Sequence, residues 1–175
     1  KDHKIIASKQ EWDYFHRLDE FFAWAERVSA ATTLLNPLAA LRWNLHKGYL
    51  VELAGRGAPV VPTVLLGRGE TVDLEALLAE RGWTDFILKP AVSADSFETH
   101  RLSAREPGVA RAHVARLLPE RDLLLQPFLD TVESYGERCL IHVDGAFSHA
   151  VRKNALTQGG RWAGLPEGTP VEATA

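Results

Sequence analysis

Short apolar runs that stop at a proline or a glycine alternate along this chain with stretches of helical periodicity. Strand composition is found at residues 60–66, 86–89 and 123–126, and Pro62 restricts the first of these runs to a sheet edge or a strand start. Two further runs flank Asp144-Gly145, which is a strong hairpin signal. This order of elements predicts an α+β fold of two small layers.

The helical signals lie between these strands. Apolar residues recur at spacings of three and four from Trp12 to Val28, which predicts an amphipathic helix. Shorter helices are expected at residues 38–43, 46–54 and 109–118, and Asp73 is expected to cap another that ends at Gly82. After Lys153 the chain becomes rich in glycine and proline, a composition typical of a mobile loop.

Composition excludes several classes of function. The net charge is −3, so no basic excess indicates a nucleic-acid partner, and no apolar run is long enough to predict a membrane partner. The single cysteine, Cys139, cannot form an internal disulfide, which favours the cytoplasm. Methionine is absent even from position 1, so we expect a fragment of a longer protein. A homo-oligomer remains possible.

Four segments, in this order and spacing, resemble the ATP-grasp superfamily, in its branch similar to glutathione synthetase and to ribosomal-protein glutamate ligase. They read NLHKGYL at 44–50 with GAPVVPT at 57–63, FILKP at 86–90, LLQPFL at 124–129, and GERCLIHVDG at 136–145 with AVRK at 150–153. The resemblance implies an ATP-grasp fold, in which two small α+β subdomains clasp ATP. It also implies the end of a preceding α/β domain at residues 1–35, the small subdomain at 36–122 and the start of the large subdomain at 123–175.

The function implied by the resemblance is that of an ATP-dependent ligase. Its substrates would be a small-molecule or peptide carboxylate and an amine, joined through an acyl phosphate, with ATP and Mg²⁺ as cofactors. The family's metal-binding carboxylates have no counterpart in this sequence and are expected beyond residue 175, so this piece alone is expected to be inactive. A non-catalytic nucleotide-binding module with the same fold is the alternative function. The sequence that follows Ala175 would discriminate between these two functions, because an Asp with a Glu-x-Asn motif there would favour the enzyme.

The phosphate groups of ATP would be bound by Lys47 and Lys89, the positions that match the family's lysines. Lys89 ends an apolar strand in front of a proline, whereas Lys47 taken by itself is better interpreted as a solvated surface lysine. The loop that follows Lys89 lacks the family's glycines, so Ser93, Ser96 and the loop amides are expected to donate to phosphate in their place. Asp95 would repel phosphate if it pointed inward.

The hinge between the subdomains would lie at Gln126, Phe128 and Leu129, with backbone groups pairing with adenine and apolar side chains flanking the ring. Glu137 matches a position that accepts from the ribose hydroxyls, although an exposed hairpin acid is an equal reading of the residue itself. Arg152 and Lys153 match a region of the family with a basic catalytic residue that faces the transferred phosphate or the substrate carboxylate.

Overall fold

The computed structural model describes residues 5–7, 14–94, 96–153, 157–158, 161–162 and 168–171. The chain divides into two compact units, Lys1–Pro127 and Phe128–Ala175. The expected subdomain boundary after residue 122 therefore precedes this division by one strand. That strand belongs to the first unit because it pairs with two other strands there.

The first unit contains six strands, five helices and a 3₁₀ turn at Tyr14–His16 within its described residues. These are β1 (Ile5–Ala7), α1 (Leu18–Ala31), β2 (Thr33–Leu35), α2 (Leu38–Leu45), α3 (Tyr49–Gly55), β3 (Val64–Leu66), α4 (Leu74–Arg81), β4 (Asp85–Pro90), β5 (His100–Ser103), α5 (Pro107–Leu117) and β6 (Leu123–Pro127).

A four-stranded antiparallel sheet of order β3-β6-β4-β5 forms the centre of this unit. One of its two inner strands, β6, carries three consecutive leucines that are fully buried, Leu123, Leu124 and Leu125. One face of β4 contributes Phe86 and Leu88 to the same core, and α4 and α5 pack on it through leucine, valine and alanine side chains. The mixed sheet and helix content confirms the predicted α+β class.

Most predicted elements have their expected type, and the differences have local causes. The run 60–66 forms a strand only at Val64–Leu66, because Pro62 has no N–H to donate to a ladder. The helix predicted from Trp12 starts at Leu18, and Trp12 lies outside the described residues. Asp73 caps α4 by accepting from the Ala76 N–H at 3.0 Å, and Gly82 ends it with φ of 67°.

The N-terminal part of the first unit has a different organisation from the four-stranded sheet. Strands β1 and β2 pair in parallel, and helix α1 connects them. A helical crossover between parallel strands is the elementary motif of α/β domains. That residues 1–35 end a preceding α/β domain stays a prediction.

The second unit contains a short helix, α6 (Asp130–Ser134), and a sheet of order β11-β8-β7, built from β7 (Glu137–Val143), β8 (Ala146–Lys153) and β11 (Gly168–Val171). A separate pair joins β9 (Thr157–Gln158) to β10 (Arg161–Trp162). The hairpin prediction at Asp144-Gly145 is confirmed, with φ of 51° and 78°. The predicted loop after Lys153 contains these short strands, and its other residues lie outside the described part. None of the described helices is long and apolar enough to cross a membrane.

The central position of β6 leads to a stability prediction. We expect Leu125→Ala to lower the free energy of unfolding of the first unit by about 2–5 kcal/mol, because it leaves a cavity inside the sheet core. Leu65→Ala on neighbouring β3 is the matched control, since that side chain is 37% exposed. Urea unfolding followed by circular dichroism measures both. Equal losses in the two variants would contradict the assignment of β6 as the core strand.

Candidate functional site

Three of the predicted phosphate-binding residues lie in one region of the first unit. Lys89 is on the face of β4 opposite Phe86 and Leu88, so its ammonium points away from the core. Lys47 lies in the turn between α2 and α3, and its N–H donates to the Ala91 carbonyl at 2.8 Å. The Lys47 ammonium donates to the Ser93 carbonyl at 2.7 Å and to Ser93 Oγ at 2.9 Å. The loop after β4 thereby connects both lysines.

The two ammonium groups are half-buried and close enough to affect each other. Burial, together with the positive charge of Lys89, lowers the pKa of Lys47 to about 8. Burial also lowers the pKa of Lys89. No carboxylate of the described residues forms an ion pair with either lysine. Two partly desolvated cations without a counter-charge are the electrostatic signature of an anion-binding site.

Within the described residues, the loop after β4 reaches its conformation without glycine. Ser96 and Glu98 have φ of 52° and 50°, in the left-handed region that glycine usually occupies. Glu98 is held by Arg116, whose two terminal nitrogens donate to its carboxylate at 2.8 and 2.6 Å. His100 Nε2 lies 2.8 Å from the same carboxylate. These side-chain contacts stabilise backbone conformations that would otherwise be strained. Asp95 lies outside the described residues.

The electrostatics of Glu98 follow from the same contacts. The hydrogen bonds from Arg116 and then from His100 lower the pKa of this carboxyl to about 2. His113 stacks on His100 with ring centroids 4.1 Å apart, and burial followed by the charge of His100 lowers the pKa of His113. The end of the loop is therefore joined to helix α5 by charged groups.

Gln126 is the last of the predicted site residues within the first unit. Its side chain is buried, and Nε2 donates to Thr63 Oγ1 at 2.8 Å. Thr63 Oγ1 in turn donates to the Val61 carbonyl at 2.8 Å. The Gln126 side chain is thus engaged with the segment before β3.

The other five predicted site residues belong to the second unit. Phe128 is half-buried and Leu129 is exposed, directly before α6. Glu137 begins β7 opposite Lys153 at the end of β8. Arg152 Nε donates to the Tyr135 carbonyl at 2.8 Å, and its guanidinium lies 4.3 Å from the centroid of the Tyr135 ring. These contacts orient Arg152 within its own unit.

Sequence reasoning missed the role of Asp122. Its carboxylate bonds to His46 Nε2 at 2.9 Å and accepts from the Arg68 N–H at 2.7 Å, while its carbonyl accepts from the Ala91 N–H at 2.9 Å. Asp122 thus joins the residue before Lys47 to the residue after Pro90. No local pattern could reveal this contact, because positions 46 and 122 are 76 residues apart.

The described residues were also compared with what a metal ion requires. No group of three or more His, Cys, Asp or Glu side chains among them could hold a metal.

Comparisons with solved structures identify the fold. The chain superposes with TM-score 0.59 on a RimK-domain ATP-grasp protein from Sphaerobacter thermophilus, at 20% identity over 76% of this chain and 50% of that one. It superposes with TM-score 0.60 on D-alanine–D-alanine ligase from Bacillus anthracis complexed with ATP, at 9% identity over 97% and 59% of the two chains. The chain has the ATP-grasp fold.

A more specific similarity is to the D-cycloserine synthetase DcsG. The cycloserine biosynthesis protein DcsG of Streptomyces lavendulae is 34% identical over 174 residues, which are 95% of this chain and 54% of that protein. The crystal structure of D-cycloserine synthetase DcsG matches with TM-score 0.86 and 33% identity over 97% and 60% of the two chains. Residues 2–36 match the family model of the N-terminal domain of D-cycloserine synthetase DcsG. The chain thus spans about half the length of the curated relative.

The Glu98 contacts lead to a prediction about acid stability. Folding lowers the pKa of the Glu98 carboxyl from 4.5 to about 2. The charged carboxylate therefore stabilises the folded protein above pH 4.5, and this stabilisation is lost as pH falls towards 2. We expect Glu98→Gln to destabilise the protein at pH 7, with a difference from wild type that shrinks between pH 4.5 and 2. Urea unfolding over this range measures it, with exposed Glu80→Gln as control. A pH-independent difference would refute the assigned role of the Glu98 charge.

Proposed function

We propose that this chain is the ATP-binding part of an ATP-dependent ligase that joins a carboxylate to an amine. The observation that carries the proposal is the pair of half-buried ammonium groups, Lys47 and Lys89, without a carboxylate partner among the described residues. A nucleotide triphosphate supplies the negative charge that such a pair lacks, and bound phosphate would restore the usual pKa values of both groups.

The local geometry supports a phosphate site on these residues. An ammonium has three N–H donors, and Lys47 uses two of them on Ser93, so one donor remains for an oxygen of phosphate. Ser93 is itself buried, and Oγ donates to the Pro90 carbonyl at 3.3 Å. We assign Ser93 to positioning of Lys47, and assign the charge contacts to Lys47 and Lys89.

The remaining assignments rest on the resemblance to the superfamily. In this proposal the backbone of Gln126 to Leu129 binds adenine, with Phe128 as part of the apolar wall, and Glu137 accepts from the ribose hydroxyls. Arg152 and Lys153 stabilise charge on the transferred phosphoryl group. Use of main-chain groups for the base is compatible with the Gln126 side chain, which is already bonded to Thr63.

The proposed reaction has two steps. A substrate carboxylate oxygen attacks the γ-phosphorus of ATP, which forms an acyl phosphate and releases ADP. The amine then attacks the acyl carbon, which forms the C–N bond and releases phosphate. The cations of this chain would stabilise the negative charge that is redistributed during phosphoryl transfer. Magnesium would neutralise phosphate charge when bound.

The similarity to DcsG, which is named as a D-cycloserine synthetase, narrows the substrate class. It extends over 95% of this chain at 34% identity, and favours a small amino-acid-like substrate over a peptide. We therefore propose a ligase of small molecules that acts in the cytoplasm. A nucleotide-binding module without catalysis would bind ATP equally well but would give no ADP release that depends on a carboxylate and an amine.

The first test is removal of the Lys89 charge. We expect Lys89→Met to weaken ATP binding about ten- to hundredfold, because a charge-assisted contact contributes about 1.5–3 kcal/mol. Arg81→Met at the exposed end of α4 removes a cation away from the site and should bind as wild type does. Calorimetric titration with ATP measures the affinities. Equal affinity of wild type and Lys89→Met would refute the proposed phosphate site.

The second test uses pH. Since the pKa of Lys47 is lowered to about 8, its ammonium is charged below pH 8 and loses the proton above it. We expect the ATP affinity to fall as pH rises from 7 to 9.5, with the steepest change near 8. Lys47→Arg keeps the charge over this range and should flatten the profile. A profile unaltered by Lys47→Arg would show that another group titrates.

A further inference from the structure

The residue before Lys47 is a histidine, and both nitrogens of its ring are bonded. His46 Nε2 lies 2.9 Å from Oδ2 of Asp122, and His46 Nδ1 accepts from the Gly48 N–H at 3.2 Å. A backbone N–H can only donate, and a carboxylate can only accept. His46 is therefore a neutral imidazole with its proton on Nε2, because this is the one form that satisfies both partners.

The carboxylate of Asp122 divides its two oxygens between two donors. Oδ1 accepts from the Arg68 N–H at 2.7 Å, and Oδ2 accepts from His46. The Asp122 carbonyl accepts from the Ala91 N–H at 2.9 Å, and the Ala91 carbonyl accepts from the Lys47 N–H at 2.8 Å. Lys47 is thus joined to Asp122 by two routes, one through the His46 ring and one through the main chain of Ala91.

Gly48 allows the imidazole to approach the main chain of the turn. A Cβ added to Gly48 would lie 2.7 Å from His46 Nδ1 and 3.0 Å from its Cε1, which is closer than van der Waals contact. The φ of Gly48 is −55°, an ordinary value for any residue. The glycine therefore provides space for the ring and supplies no special backbone conformation.

We propose that His46 is a positioning residue for the phosphate site: its Nε2–H imidazole, held by Asp122, fixes the turn that carries Lys47. A lysine ammonium lies at the end of a long flexible stem, so its placement depends on its main chain. His46 itself contacts no phosphate in this proposal. The inference rests on the proposed function, since it assigns His46 to the proposed ATP site. The His46 and Asp122 side chains are 36% and 37% exposed, so a moderate effect is expected.

The isosteric change Asp122→Asn tests the hydrogen bonds directly. An amide has one acceptor oxygen in place of two, so it cannot serve both the Arg68 N–H and His46 Nε2–H. A backbone N–H cannot change its role and an imidazole can, so we expect the amide NH₂ to face His46 and the ring proton to move to Nδ1. Long-range ¹H–¹⁵N correlation spectra at mildly alkaline pH, where imidazole is neutral, distinguish the two tautomers. An unchanged tautomer in Asp122→Asn would overturn the proposal.

ATP affinity separates positioning from a simple charge effect. Asp122→Asn removes a negative charge near Lys47, and through electrostatics alone this change would tighten ATP binding. If His46 positions Lys47, the same change should instead weaken ATP binding, about three- to tenfold. Calorimetric titration measures the affinities. Tighter or unaltered binding by Asp122→Asn would contradict the role of His46.

Gly48→Ala provides an independent variant if Asp122→Asn does not fold. The added methyl should displace the imidazole from Asp122 and weaken ATP binding about three- to tenfold. Gly55→Ala is the matched control, because a Cβ there meets nothing within 4 Å, and it should bind as wild type does. In a His46→Ala background, Gly48→Ala should have no further effect. Equal effects of Gly48→Ala in both backgrounds would show that the methyl acts without the imidazole, which would overturn the proposal.

The two proposals fail in different ways. If wild type binds ATP and both Asp122→Asn and Gly48→Ala bind it equally well, only the role of His46 is overturned. If wild type does not bind ATP, the proposed phosphate site is overturned. In that case a tautomer change in ligand-free Asp122→Asn still supports the control of the Lys47 turn by His46 and Asp122.

Discussion

The antiparallel pairing of β4 with β6 is the contact on which the candidate site depends. It places Leu88 opposite Leu125 and Lys89 opposite Leu124, so that β4 is fixed with one face in the core. Because side chains alternate along a strand, burial of Phe86 and Leu88 forces Lys89 to the opposite face. A slip of one residue would bury the ammonium, and the core therefore fixes the position of the charge.

The loop after β4 connects this strand to Lys47, the second lysine of the candidate site. Ser93 accepts from the Lys47 ammonium, and Glu98 holds the end of the loop to helix α5 through Arg116. Both contacts are charge-assisted, so they are stronger than neutral hydrogen bonds. A loop with no glycine among its described residues is in this way held by side chains. The same loop places the Phe97 ring 5.7 Å from the Arg121 guanidinium.

The half-buried state of the lysine pair gives this site its chemistry. An exposed ammonium attracts a phosphate only weakly in water, whereas partial burial strengthens the attraction and lowers the pKa of the free group. The positive charge is uncompensated among the described residues, so the folded chain is organised for an anionic ligand. Asp122, by contrast, is fully engaged, and it links the lysine turn to the start of β6.

The sequence by itself determined the class of fold and most of its elements. Strand-ending prolines, the Asp73 cap and the Asp144-Gly145 turn act over a few residues, so their outcome is readable locally. The four ordered segments, of which the one around Lys89 and Pro90 is a part, likewise indicated the ATP-grasp fold. Only the tertiary structure decided which polar groups form contacts: Lys47 with Ser93, His46 with Asp122, and Glu98 with Arg116. Two of these three contacts join positions more than 40 residues apart, and they arise from sheet pairing and burial, which no local pattern of residues encodes.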